Sequence, residues 1–402
     1  MPTGSAQPPT PLAPRAARLG SQPALDGIRA CAIAAVFALH ALAADFPGGF
    51  LGVDVFFTLS AFLITSLVLQ ETVAGGGRYS FRAFYWRRAL RLGPALVVWL
   101  VLVAGPTSVL LGQRGDILKS TVLVIGYVSN FSYVVSHGFF TGLGGAYGHG
   151  WSLAVEEQFY LVWPVLLVLL VRLGTPALRR RILVLGLPVA VVTQLTFGAL
   201  LTPHPAYALP VNYFLATGHL LPLIAGCLAA DLRMYGAPRW VNTLAERSAP
   251  PLLIGAALVL CVIGFNVAPN AGLWVPVTTL TGLGTALVIL HVCARSDSPA
   301  SRLLATPVMR WVGQRSYGYY LFSLTLLGAV PHLVPGIEVR YAIPLTVVLS
   351  TVAVAASYRW VEKPLLRYKH RFDPVPAQSF DRPMVHCAAD PLVALVVAVS
   401  PP

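Results

Sequence analysis

At 402 residues, 56% hydrophobic and only 11% charged, the chain is too apolar for a soluble domain, which carries about 25% charged residues; it reads as a polytopic membrane protein. The net charge of +13 does not point to nucleic acid, because basic loops held on the cytoplasmic face account for it and no basic patch with interleaved aromatics lies outside the apolar segments. The five cysteines, Cys31, Cys227, Cys261, Cys293 and Cys387, are odd in number and lack paired spacing, which supports neither a disulfide framework nor a zinc site.

Residues 1–23 are rich in Pro, Ala and Thr and carry Arg15 and Arg18 without an apolar run, so they are expected to form a disordered basic leader and not a signal peptide. Two apolar segments follow, Leu25 to Ala44 and Phe50 to Gln70, joined by a loop with Pro47, Gly48 and Gly49. Each is about 20 residues, the length that crosses a hydrocarbon core of about 30 Å. The pair contains Arg29, His40 and Asp54. Ionisable side chains persist inside a membrane where they face a protein interior or a wet cavity, which makes each one a site candidate. Arg29 and His40 are eleven positions apart, three turns plus roughly 20°, so they share a helix face about 16 Å apart. On the second segment Asp54, Thr58, Ala61 and Thr65 make a small, polar stripe that invites close packing. The two stripes are expected to face each other and enclose chemistry.

The next loop, GGGRYSFRAFYWRRALRLG, holds Arg78, Arg82, Arg87, Arg88 and Arg91 and is expected in the cytoplasm. A third span covers Leu92 to Gly112. The stretch from Ile117 to His137 contains Lys119, Asn130 and several Ser and Tyr. If it crossed fully, the cluster Arg172, Arg179, Arg180 and Arg181 would fall outside, so it is expected to be re-entrant. Further spans are expected at 152–171, 182–201, 212–230, 251–267, 273–294, 317–334 and 341–361. The result is an all-α domain, 24–371, with about ten transmembrane helices in the plasma membrane and both termini cytoplasmic. The Pro-rich tail, 372–402, is expected to be disordered, because its apolar run PLVALVVAV is too short to cross.

The Arg29-to-His40 spacing is followed in order by GGFLGVDVFFTLSAFLIT, FYWRRALRLGPAL, WSLAVEEQFYLVWP, SYGYYLF and WVEKP. Together these resemble the acyltransferase family 3 membrane proteins, which include O-acetylases of bacterial surface polysaccharides and macrolide sugar acyltransferases. The resemblance spans Ala24 to Tyr368. Where many members close the Ser-Tyr-x-x-Tyr-Leu motif with a His, this chain has Ser323, so no second His is expected there. The resemblance implies an O-acyltransferase that passes a short acyl group, with acetyl the expected one, from acyl-CoA as co-substrate to a hydroxyl of a sugar-containing acceptor. That acceptor would be a cell-envelope glycan or a glycosylated natural product. No bound cofactor and no metal are implied. Some members carry an extra soluble domain; without one, the acceptor is handled in the membrane core or passed to a separate soluble partner.

Site roles follow from chemistry and resemblance together. The His40 imidazole can take a proton from a hydroxyl attacking a thioester, the alternative being a hydrogen-bonded structural histidine. Asp54 would orient His40 as a carboxylate does in a triad, or serve as a helix N-terminal carboxylate favoured by the dipole. Glu156 is a second candidate to orient His40. Arg88 and Arg91, at i and i+3, suit coenzyme A phosphates; charge alone assigns them to topology, and the family's Arg-x-x-Arg motif assigns them, with Arg29, to the donor. Arg82 and Arg87 are read as topology signals. Glu362 matches the family's Glu-x-Pro motif, with a donor-site role or an ion pair to Arg29 or the Arg88/Arg91 couple. Trp151, Glu157 and Tyr160 are candidate acceptor contacts, the alternative being an interfacial aromatic anchor. His137, His149, His204, His219, His291 and His332 show no metal-ligand spacing and read as loop or satisfied helix residues, with His149 the one to test. The rival class is a transporter with an Arg, His and Asp relay, against which the lack of an internal repeat argues.

Overall fold

Two antiparallel helices, α1 (Pro23–Ala41) and α2 (Leu51–Ala74), form the centre of the protein in a computed structural model that describes residues 22–42, 45–134, 145–200, 211–247 and 271–368. Pro23 and Asp26 in the first turn of α1 suit a helix N-terminus, where the lost N–H costs nothing and the dipole favours a carboxylate. A 3₁₀ turn, Pro47–Phe50, reverses the chain into α2. Ser80 caps α3 (Phe81–Trp99) by accepting from the Ala83 N–H, and a π turn at Leu100–Ala104 leads into α4 (Gly105–Leu110). Then come α5 (Ile117–Ile125), α6 (Gly150–Leu173), α7 (Pro176–Leu200), α8 (Leu220–Tyr235) and α9 (Arg239–Arg247). The last group is α10 (Ala271–Ala294), α11 (Pro299–Leu304), α12 (Pro307–Gln314), α13 (Ser316–Leu333) and α14 (Val339–Ser357). A second π turn, Tyr358–Glu362, joins α14 to α15 (Lys363–Leu366). No strand occurs among the described residues.

Seven described stretches are long and apolar enough to cross a membrane: Pro23–Ala41, Gly48–Ala74, Phe81–Leu110, Gly145–Leu173, Pro176–Phe197, Val275–Ala294 and Val339–Leu366. The α8 and α9 segments add an eighth if taken together, but the chain bends by 108° between them. Of the ten expected crossings, 251–267 lies outside the described residues. The segment 317–334 is the helix α13, whose first turns carry Ser316, Tyr317, Tyr319 and Tyr320, and it is not among the seven. Outward faces carry bare aliphatic side chains, among them Leu161 and Val162 of α6, Leu185 and Val189 of α7, and Val348 and Val352 of α14. Water would not tolerate such continuous apolar faces and lipid does, so this is an all-α polytopic membrane protein. The leader and tail expected at 1–23 and 372–402 fall, apart from residues 22 and 23, outside the described residues.

The segment expected to be re-entrant begins as α5, nine residues and about 14 Å long, too short to cross. A 3₁₀ turn, Ser129–Tyr133, follows. Its polar groups are met by α6: Gln158 Nε2 donates to the Tyr127 carbonyl (2.9 Å) and to Asn130 Oδ1 (3.0 Å), and Ser129 Oγ donates to the Gly150 carbonyl (2.9 Å). That is how irregular backbone survives at membrane depth, buried in protein.

The polar stripe of α2 faces α8 and α6, not the Arg29–His40 face of α1 as expected. Gly226 of α8 sits so close that a Cβ there would lie 2.1 Å from the Thr58 carbonyl oxygen. Small residues permit this approach and give α2 its tightest contact. Trp163 of α6 donates its indole N–H to Thr65 Oγ1 at 2.8 Å. One end of the bundle gathers the basic segments. Arg172 Nε donates to the Gly77 carbonyl (2.8 Å), and Arg179 and Arg180 both bond Asp231 (2.7 and 2.9 Å).

Candidate active site

A cavity of about 420 Å³ opens against α2, lined along that helix by Val53, Phe57, Ser60, Ile64, Leu67 and Gln70. Seventeen residues separate Val53 from Gln70, so the cavity extends about 25 Å along the helix axis, most of the thickness of a bilayer core. Arg29 of α1 and Arg88 and Arg91 of α3 bring three guanidinium groups to its wall; Ser152, Glu156 and Tyr160 of α6 and Ser316, Tyr317 and Tyr320 of α13 add to the polar lining.

The three arginines are not equivalent. Arg88 is committed: its Nε donates to both Glu157 oxygens (2.9 and 3.1 Å), its Nη2 donates to Oε1 at 2.6 Å, and its guanidinium lies 3.2 Å over the Tyr160 ring. Arg29 bonds Asp26 one turn away at 3.2 Å. Arg91 is exposed in the cavity, makes no hydrogen bond or ion pair among the described residues, and has Arg29 and Arg88 as like-charged neighbours. A cluster of positive charge with one uncommitted member is suited to a phosphate or carboxylate ligand. Glu157 therefore neutralises Arg88 and is not a free acceptor contact. Glu362 accepts from Ser357 Oγ at 2.8 Å, with Arg315 and Arg91 as its charged neighbours. Neither Arg29 nor Arg88 pairs with it.

Glu156 accepts hydrogen bonds from Ser60 Oγ (2.5 Å) and from the Tyr160 hydroxyl. These bonds tie α2 to α6 across the cavity. Ser152 bonds the Tyr320 hydroxyl, which donates in turn to the His149 carbonyl at 2.8 Å.

His40 is not part of that lining. A Cβ at Gly52 would meet the Ala32 carbonyl and one at Gly49 the Ala35 carbonyl, so the Val53 end of the cavity faces the half of α1 that carries His40. His40 Nδ1 lies 2.8 Å from the Val36 carbonyl oxygen, which can only accept, so Nδ1 carries the proton. Nε2 is then the basic nitrogen, on an exposed ring, with no partner among the described residues. His149 is its neighbouring imidazole, buried with its ring edge-on to Trp99 (5.2 Å) and Tyr320 (5.3 Å), and its own Nε2 has no partner.

The expectation that Asp54 or Glu156 orients His40 is corrected. Asp54 is fully buried and its Oδ1 bonds His219 Nδ1 at 2.6 Å, while His219 Nε2 donates to the Tyr213 carbonyl at 2.6 Å. A single proton therefore lies between Asp54 and His219. The residue that orients His40 is Val36, through its backbone. Trp151 is likewise corrected: it is buried against Tyr213 and stacked on the His219 ring at 5.6 Å, and it does not line the cavity. His219, read from the sequence as a loop or satisfied helix residue, is the acid's partner across 165 positions, and no local pattern announces such a pair. Arg87, read as a topology signal, is buried and bonds both Glu71 oxygens (2.6 and 2.9 Å), tying α3 to α2.

Replacing Asp54 by alanine is expected to destabilise the protein by about 1–3 kcal/mol, because His219 Nδ1 is left buried without a partner. The expected change is in the thermal unfolding of the purified protein. A variant with unchanged unfolding but slowed catalysis would return Asp54 to the chemistry.

A helical membrane bundle with a cationic cavity and, towards one end of it, an imidazole with a bare nitrogen is a framework suited to group transfer. The comparisons with known proteins name the group: residues 22–359 match the family described as "Acyltransferase domain", and the chain belongs to that family. It is 31% identical over 362 residues to peptidoglycan O-acetyltransferase OatA of Listeria monocytogenes serovar 1/2a, covering 85% of this chain and 55% of the relative. It is 31% identical over 360 residues to putative peptidoglycan O-acetyltransferase YrhL of Bacillus subtilis strain 168, covering 85% and 54%. With putative O-acetyltransferase SACOL0978 of Staphylococcus aureus strain COL it shares 30% identity over 363 residues, covering 85% and 57%. The chain thus spans about half the length of the curated relatives it matches. No solved structure matches it.

Proposed function

We propose that this protein is a membrane O-acyltransferase that moves a short acyl group, acetyl, from acyl-CoA to a hydroxyl of a glycan or other sugar-containing acceptor. The observation that carries this reading is His40, whose Nδ1–H is held by the Val36 carbonyl so that a basic Nε2 is presented on an exposed ring. The names of the relatives support acetyl and a glycan. The uncommitted cation Arg91, flanked by Arg29, supports an anionic donor such as coenzyme A.

In the proposed reaction the donor's phosphates lie against Arg91 and Arg29, and the acyl-thioester reaches along the α2 wall towards the Val53 end. The acceptor hydroxyl approaches His40. Its oxygen forms a bond to the thioester carbonyl carbon as Nε2 takes its proton; the C–S bond then breaks, and the thiolate leaves with the proton that His40 returns. Arg88, neutralised by Glu157 and resting on Tyr160, keeps α3 and α6 in register and holds the cavity wall. Glu156, bonded by Ser60 and Tyr160, keeps that wall polar. No resident cofactor is part of this scheme, and a separate soluble protein would receive the acyl group if the acceptor lies beyond the membrane.

The positive-inside tendency supports a cytoplasmic position for the basic end of the bundle and, with it, for both termini. The Arg172 contact to the Gly77 carbonyl brings the start of α3 and the α6–α7 turn to that same end. Gly76→Cys and Ala177→Cys should therefore both be shielded from an impermeant thiol reagent in intact cells. Labelling of the second alone would separate the two loops and break the arrangement.

The activity itself is tested by incubating purified protein with acetyl-CoA carrying a labelled acetyl group and a glycan acceptor. Acetyl-CoA-dependent label in the glycan is expected. Binding of acetyl-CoA with no transfer, or transport of the glycan without acylation, would replace this reading.

A further inference from the structure

We propose that the groove on the outer side of α14 binds an anionic phospholipid, with its headgroup phosphate held by Arg315, Arg359 and Lys363. The groove is a second cavity, about 510 Å³, separate from the one along α2. Arg315 stands at its floor, its guanidinium 4.5 Å from the Trp311 ring and 4.2 Å from the Tyr358 ring. That aromatic clamp fixes the group in place, its Nη1 donates to the Trp311 carbonyl at 3.1 Å, and its Nε is buried without a partner. Arg315, Arg359 and Lys363 form no ion pair among the described residues. The carboxylate beside them, Glu362, accepts from Ser357 Oγ and has Arg315 and Arg91 as charged neighbours. Three cations thus converge on one carboxylate that pairs with none of them, leaving a net positive charge, which is the composition of a phosphate site.

The other half of the groove decides which phosphate. The π turn at Tyr358–Glu362 swings Arg359 and Trp360 outward, and Trp360 is 74% exposed, as an interfacial anchor is at the level of lipid headgroups. One to two turns back along α14 the groove is walled by Val352, Ala355 and Ala356, with no polar group. From Lys363 to Val352 is eleven residues, about 16 Å along the axis. Charge at one end and a smooth aliphatic wall running on into the bilayer is the shape of a phospholipid, headgroup first and acyl chain following. A free nucleotide or inorganic phosphate would satisfy the three cations but leave the aliphatic wall without a partner.

Native mass spectrometry of the purified protein, equilibrated with phosphatidylglycerol or phosphatidylcholine, tests this. Wild type is expected to retain phosphatidylglycerol in preference to phosphatidylcholine. The double variant Arg359→Gln, Lys363→Gln changes two exposed side chains and should weaken that retention by roughly thirty-fold. Val352→Trp, which fills the aliphatic half and touches no charge, should weaken it as well. Equal retention of the two lipids by wild type would overturn the proposal, as would either variant behaving like wild type. Displacement of phosphatidylglycerol by adenosine 3′,5′-bisphosphate or by inorganic phosphate would also overturn it, by assigning the three cations to a soluble phosphate.

Discussion

His40→Ala is expected to lower acyl transfer by about a hundred- to ten-thousand-fold, the range that a positioned general base contributes. Folding should survive. The His40 ring is exposed and its hydrogen bond goes to Val36 on its own helix, so removing it opens no cavity and strands no buried group. The loss should fall on the maximal rate and leave donor affinity nearly intact, since Arg29 lies about 16 Å away along α1 and Arg88 and Arg91 belong to α3. His40→Gln sharpens the test. Its amide can keep a polar group in place but cannot take up a proton at neutral pH, so it should be as slow as the alanine variant. Either variant retaining more than a tenth of wild-type activity would remove His40 as the base. His149, whose unpartnered Nε2 lies buried nearby, would then be the next group to test.

The second large effect separates two arginines that are three residues apart. Arg91→Ala should raise the acyl-CoA concentration needed for half-maximal rate by roughly ten- to a hundred-fold, because a lost charge-assisted contact is worth about 1.5–3 kcal/mol. The protein should remain as stable as wild type or become slightly more so, since Arg91 has two like-charged neighbours and no ion pair to lose. Arg91→Lys should rescue only part of the affinity, as an ammonium cannot make a bidentate contact. Arg88→Ala should behave differently. It leaves the Glu157 carboxylate, 13% exposed, without its partner and removes the cation from the Tyr160 ring, so the main loss should be stability. Binding of a non-hydrolysable acyl-CoA analogue, measured beside thermal unfolding, distinguishes the two. If both variants bind the analogue as wild type does, the arginines are topology signals and the donor lies elsewhere.

What could be read along the chain was what depends on neighbours in sequence. Hydropathy over about 20 residues marked α1, α2, α3, α6, α7, α10 and α14, because a span needs only a run of apolar side chains to satisfy the bilayer. Helical periodicity put Arg29 and His40 on one face of α1 from their spacing, since three turns of backbone set that relation without any partner. Charge in the loops anticipated that the stretch from Ile117 to His137 would not cross, and its helix α5 is too short to do so. Family motifs carried the class of protein.

Contacts between distant segments were decided only by the folded bundle. Asp54 could choose a histidine 14 residues back or one 165 residues ahead, and the close approach of α2 and α8 at Gly226 delivered His219. Arg88 and Arg91 look alike in sequence, yet α6 offers a carboxylate to the first and leaves the second facing the cavity, because three residues of helix rotate them about 60° apart. The orienting group for His40 was invisible for another reason: it is the carbonyl of Val36, which every residue possesses. Hydrogen bonds and ion pairs act over about 3 Å, and that distance is set by helix packing, not by separation along the chain.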